Sequence, residues 1–172
     1  MYIRFFYILF FVFILKAETK SQLLPFEKSI LIKAILKECP SNFKSIRFAI
    51  IDDDKSSSQD LYHQLKKNTL INYQDSSISL EFHFIKLKKL LEKKYSYDFI
   101  FYSKKSKSLF SNYKVISDRF NLLKEGAFIV ILKDKSTPKV ILNLQTLKKY
   151  QITFSTTFMR FVEIYSKKIN HD

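Results

Sequence analysis

A mostly parallel β-sheet covered by helices on both faces, ending in a C-terminal antiparallel hairpin plus a terminal helix, is the α/β architecture predicted by three features of this sequence. The segments SIRFAII (Ser45–Ile51) and YDFIFYS (Tyr97–Ser103) are apolar with little alternation, as in strands covered on both faces. Helix-like and strand-like segments alternate along most of the chain, which is how parallel βαβ units read. Near the end, AFIVILK and PKVILNL flank the turn-forming DKSTP and read as a hairpin.

Each element has its own local signal. LLPFEKSILIKAILKECP reads as a helix: Phe26, Ile30 and Ala34, with Leu31 and Ile35 offset by one, recur at helical spacing and stop at Pro40, so one face should pack on the sheet. Ser45–Ile51 then supplies the central strand. Ser58–Leu70 is a surface helix through Leu61, Leu65, Thr69 and Leu70, with serines and Asp60 placed to cap its start. SISLEFHF alternates strictly, placing Ile78, Leu80, Phe82 and Phe84 inward and Ser79, Glu81 and His83 outward. It reads as a strand near a sheet edge, with His83 solvated. LKKLLEKK is a short helix before the Tyr97–Ser103 strand, SLFSNY adds a helical turn, and KVIS (Lys114–Ser117) is a fourth strand. DRFNLLKEG fits a short helix stopped by Gly126, the only glycine in the chain, where a positive φ is expected. After the hairpin come a brief helix, QTLKKY, and an i, i+3, i+4, i+7 stripe of Phe158, Phe161, Val162 and Tyr165. That stripe predicts an amphipathic terminal helix started by Ser155 or Thr156.

The 172 residues suit one domain, and 47% hydrophobic content is enough to bury a core. A net charge of +14 raises nucleic acid or an anionic membrane surface as a partner. Arginine occurs only at Arg4, Arg47, Arg119 and Arg160, however, and the lysines are spread along the chain, so a solvated lysine coat is expected and nucleic acid is not. Cys39 is the one cysteine and His63, His83 and His171 are scattered, which excludes a Cys/His metal cluster and an internal disulfide. No cofactor is expected.

The amino terminus carries Arg4, an apolar run from Phe5 to Leu15, then Lys16 and Ala17. A bilayer-spanning helix needs about 20 apolar residues, so this shorter run reads as a signal peptide over residues 1–17 with the domain over 18–172. An uncleaved amino-terminal anchor is the alternative; either way the domain faces away from the cytoplasm.

FAIIDDDK begins as a phosphoreceiver does, with acids after the first strand. A receiver also needs an acceptor aspartate at the end of its third strand, beside the bound Mg²⁺. Ser103 stands there, and Asp98 lies at the other end of that strand, roughly 15 Å away at ~3.3 Å per residue. Ser117 and Lys133 fit the receiver's hydroxyl and lysine roles but have no acceptor to serve. Asp52, Asp53 and Asp54 then read as a solvated turn near a helix start. No glycine-rich phosphate loop, G-x-S-x-G or HExxH motif occurs, so an enzyme is not expected.

The last third of the chain resembles the YfiR-like family. Ser117 and Asp118 stand at its Ser/Asp-like pair, Gly126 and Ala127 at its double glycine, Asn143 and Leu144 at its Asn-Leu, and ITFSTTFMRFVEIY at its final element. Lys33 and Ala34, closed by Pro40, match its opening segment, with Cys39 where the family has an aromatic residue. The paired cysteines of some members are absent. The resemblance implies a flavodoxin-like α/β domain in the periplasm without enzymatic activity. It further implies a partner: the periplasmic sensor part of an inner-membrane signalling protein, of diguanylate cyclase or sensor kinase type, with repression of cyclic-di-GMP synthesis as one outcome. Self-pairing into a homodimer stays open, and Arg160 in the final element is a candidate partner-facing residue. The alternatives are a small-molecule-binding domain using the crevice near Asp52 and Ser103 and, further off, a degenerate receiver.

Overall fold

The structure, a computed structural model, describes residues 22–38, 45–52, 56–67, 70–73, 76–92, 96–104 and 107–166. The leader over 1–17, Cys39, Pro40, Asp53 and Asp54 lie outside the described residues. In chain order the elements are α1 (Pro25–Glu38), β1 (Ser45–Asp52), α2 (Ser56–Lys66), β2 (Leu70–Tyr73), β3 (Ser76–Lys86), α3 (Leu87–Leu91), β4 (Phe99–Phe101) and α4 (Lys107–Asn112). There follow β5 (Lys114–Ser117), α5 (Leu122–Glu125), β6 (Ile129–Asp134), β7 (Thr137–Asn143), α6 (Leu144–Tyr150), α7 (Thr156–Met159) and β8 (Val162–Tyr165).

The eight strands lie in the order β2-β3-β1-β4-β5-β6-β7-β8. β3, β1, β4, β5 and β6 run parallel, in the doubly wound 2-1-3-4-5 order when only these five are counted. β2 and β7 are antiparallel additions at the two sides, and β8 is parallel to β7. β1 sits inside because both its faces are apolar: Ile46, Phe48 and Ile50 point to one layer, Ala49 and Ile51 to the other. α1, α2 and α6 cover the first face through Ile32, Ile35, Leu36, Leu61, Leu65 and Leu147. α3, α4 and α5 cover the second through Leu90, Leu109, Phe110, Leu122 and Leu123. The α/β class, the mostly parallel sheet and the hairpin therefore stand as expected.

Four local expectations are corrected. The terminal helix is only the four residues of α7, after which the chain extends as β8, with Val162 opposite Val140 and Ile164 opposite Leu142. The apolar stripe was real, but β7 offered backbone partners, and Val162, Ile164 and Tyr165 suit a strand at least as well as a helix. Lys139 of β7 fastens the new strand through Glu163 at 2.7 Å. Secondly, the helix expected to reach Leu70 ends at Lys66, and Leu70–Tyr73 pairs antiparallel with β3 as β2. Thirdly, β3 lies near the edge as expected, one place in, but His83 is half-buried rather than solvated, with its ring edge-on to Tyr97 at 5.3 Å.

The fourth correction concerns α1. The stripe of Phe26, Ile30 and Ala34 faces outward, whereas Lys28, Ser29, Ile32, Ile35 and Leu36 are buried. α1 is apolar on both sides, so periodicity alone did not choose between them. The inward side carries a lysine, and its destination explains the choice.

Candidate functional site

In sheets of this order the crevice beyond the carboxyl ends of the strands is the usual ligand position. Here α1 enters it. Lys28 Nζ donates to Asp118 Oδ2 at 2.5 Å, with side chains 7% and 18% exposed. At the preceding residue, Glu27 accepts from Lys133 Nζ of β6 at 2.9 Å and from the Leu24 backbone N–H at 2.7 Å. Two oppositely directed ion pairs thus pin the first turn of α1 across the ends of β5 and β6. The Lys28 ammonium also lies 5.8 Å from the centroid of Phe101 in β4.

Asp118 follows β5, whose last residue, Ser117, is fully buried and accepts at Oγ from the Arg119 backbone N–H at 3.3 Å. Burial alone would push the Asp118 carboxyl up. The Lys28 charge and hydrogen bond, aided by the Ser103 hydroxyl and the residue's own backbone N–H, outweigh it and hold the carboxyl below the ordinary range. Its Oδ1 is buried without a hydrogen-bond partner. Lys133 likewise holds the Glu27 carboxyl low, with the Leu24 N–H adding to the effect. A carboxylate, an ammonium and the Ser103 hydroxyl therefore meet beside the strand end where a receiver keeps its acceptor, but the carboxylate is already neutralised by the chain's own lysine.

Asp98 is far from this cluster in role as well as place. It stands just before β4, where its Oδ2 accepts from the Arg47 N–H at 2.8 Å and its own N–H donates to the Arg47 carbonyl at 2.9 Å, closing the opposite end of the sheet. Ser103, buried just past β4, occupies the acceptor's place. Among the described residues no group of three His, Cys, Asp or Glu side chains gathers as a metal site. Beside β1 and β3, a groove of about 490 Å³ is lined by Asp52, His83, Lys86, Lys89 and Tyr97, among others.

The remaining motif residues lie elsewhere. Gly126 ends α5 with φ 106°, and a Cβ there would stand 3.3 Å from the Phe110 Cβ. Asn143 closes β7 and opens α6: its Oδ1 accepts from the Gln145 N–H at 3.1 Å and its Nδ2 donates to the Leu123 carbonyl at 3.0 Å. The side-chain amide thereby ties the sheet end to α5, and Thr146 Oγ1 donates back to the Asn143 carbonyl at 2.9 Å. Leu144 is the first residue of α6, half-buried. Lys33 and Ala34 lie toward the outer side of α1, the lysine half-buried and pushed down in pKa by that burial. Arg160 is exposed after α7, next to Phe161, which is 78% exposed.

Sequence reasoning missed Lys28 and Glu27 altogether. One signal existed: Lys28 is the single charge on the side of the helix that also carries Ile32, Ile35 and Leu36, and such an intruder needs a partner. No protein-family model matches the chain, and no curated protein matches its sequence.

Proposed function

We propose that this chain is an exported, non-enzymatic regulatory domain of the YfiR-like kind, acting in the periplasm by binding the sensor part of an inner-membrane signalling protein. One observation carries the reading: at the carboxyl ends of β5 and β6 the crevice is occupied by the chain's own α1, through Lys28 on Asp118 and Glu27 on Lys133. Chemistry at that place would require the helix to leave, while the outer surfaces are available without rearrangement. A surface suited to a protein partner lies at the β8 side. β8 ends the sheet, Phe161 and Ile164 are exposed at 78% and 43%, and Arg160 adds a guanidinium beside them. Edge backbone, an aromatic anchor and an arginine are the usual means of recruiting an extended segment.

The test is capture of membrane sensor proteins by the processed chain. The parent should recover a cyclase or kinase of the inner membrane, Phe161→Asp should lose it, and Leu91→Asp on α3 should retain it. Equal recovery by all three, or by none, would overturn the reading.

The groove beside Asp52 favours a second reading, capture of a small molecule. Two lysines, a histidine and a tyrosine around about 490 Å³ suit a small anion with an apolar part. A low-molecular-weight ligand that raises Tm with no partner present, and ceases to do so in Lys86→Ala/Lys89→Ala, would favour it over the first. A degenerate receiver predicts Mg²⁺-dependent labelling by acetyl phosphate; with Ser103 at the acceptor position, none is expected.

A further inference from the structure

α1 presents different chemistry on its two sides. The inner side packs on the sheet and holds Lys28 in its ion pair. The outer side leaves Phe26 59% and Ile30 51% exposed, and Leu24, just ahead of the helix, 62% exposed. Single exposed apolar residues are ordinary, but Phe26 and Ile30, four residues apart on one side of α1, expose a shared apolar face that needs a covering. At about 3.6 residues per turn, Lys33 and Lys37 fall on the same side as Phe26 and Ile30, in the following turns.

The acids of α1 are turned elsewhere. Glu27 is held by Lys133 and by the Leu24 N–H, and Glu38 accepts from Ser155 Oγ at 2.5 Å. The outer side is thus apolar in its first half and cationic in its second, with each carboxylate engaged by the body of the domain.

Two facts select lipid as the occupant. A net charge of +14 concentrates the chain at any anionic surface. The apolar run Phe5–Leu15 lies shortly ahead of α1, and the segment from Lys16 to Leu24 spans at most ~30 Å when extended. Where that run stays as an anchor, α1 is the first described element to follow it along the chain. We infer that α1 is an interfacial helix, laying its Phe26–Ile30 side on an anionic membrane surface with Lys33 and Lys37 against headgroup phosphates. This contact is independent of the partner proposed for the β8 side, and holds the domain at the membrane whatever it binds there.

The chain has no tryptophan, so one introduced indole is an unambiguous depth reporter. Phe26→Trp and Phe161→Trp are made separately in the full chain and mixed with vesicles of phosphatidylcholine alone or with phosphatidylglycerol, carrying brominated acyl chains. Both sites are exposed, and circular dichroism should match the parent. The emission of the Phe26→Trp chain should shift to shorter wavelength and be quenched severalfold more in the anionic vesicles, while the indole of the Phe161→Trp chain stays in water. Lys33→Gln/Lys37→Gln, in the Phe26→Trp chain, should raise the lipid concentration needed for half-quenching by roughly 25-fold, about fivefold per lysine. If the indole of the Phe26→Trp chain remained in water while the chain sedimented with vesicles, the inference would be overturned, because the leader alone would then hold the chain. Equal quenching in both compositions, equal quenching in the Phe161→Trp chain, or no sedimentation with either vesicle would overturn it too.

Discussion

Replacing Lys28 by methionine keeps most of the aliphatic stem beside Phe101 but removes the cation 2.5 Å from Asp118. Asp118 is 18% exposed and its Oδ1 has no hydrogen-bond partner, so the carboxylate would be left buried with little compensation. Breaking one side of such a pair costs about 3–5 kcal/mol, a large part of the ~5–15 kcal/mol that stabilises an ordinary domain. The pH dependence supplies the sharper check. In the parent, the folded-state pKa of Asp118 is depressed, so the pair's contribution is complete above the unfolded value of ~3.9 and is lost as pH falls through the folded pKa. In Lys28→Met, burial, already the largest single influence, is no longer outweighed by Lys28 and raises the carboxyl above its unfolded value. The penalty is then full above that raised pKa and shrinks as pH falls through it toward ~3.9. The gap between parent and variant should therefore be widest near neutral pH and narrow on acidification. Urea unfolding from about pH 7 down to about pH 4, with m-values compared, measures this directly. A loss under ~0.5 kcal/mol at neutral pH, or a gap independent of pH, would refute the argument. The companion variant Lys28→Met/Asp118→Leu should recover most of the loss, since exchanging both partners for apolar groups is often neutral.

Gly126→Ala must place a Cβ at φ 106° and 3.3 Å from the Phe110 Cβ, so urea unfolding should show a loss of about 1–3 kcal/mol. Asn143→Ala removes the cap on α6 and the donor to the Leu123 carbonyl, and should cost about 2–4 kcal/mol; Asn143→Asp keeps the cap acceptor but sets a carboxylate against that carbonyl, so its thermal stability should improve as pH falls. Phe128 is fully buried among the rings of Phe99, Tyr150 and Phe154, at centroid distances of 6.1, 6.1 and 6.3 Å, and Phe128→Ala should lose about 3–5 kcal/mol by chemical denaturation.

Much of this architecture is local in origin. The uninterrupted apolar stretches of β1 and β4 could only be strands covered on both faces, and the spacing of AFIVILK and PKVILNL could hardly be anything but a hairpin. Gly126, as the chain's one glycine, marked the end of α5 because a left-handed backbone position selects it. The lack of an aspartate at the end of β4 was likewise plain from the order of residues. At the candidate site, Ser103, Ser117 and Asp118 were visible as occupants of strand ends, though not the lysine that pairs with Asp118.

What the residue order determined by itself is whatever depends on neighbours along the chain: the type of the long elements, their alternation, and the chemistry missing from the strand ends. Only the tertiary structure decided matters of pairing. Lys28 and Asp118 meet across 90 residues of sequence, and the inward side of α1 carries that lysine together with Ile32, Ile35 and Leu36. The Phe161–Tyr165 stretch satisfies a helical stripe and a strand alternation equally, and the open backbone of β7 settled it as β8. Periodicity measures how a segment could bury itself, whereas a buried ion or an unpaired strand edge is satisfied only by a group that the fold brings from elsewhere.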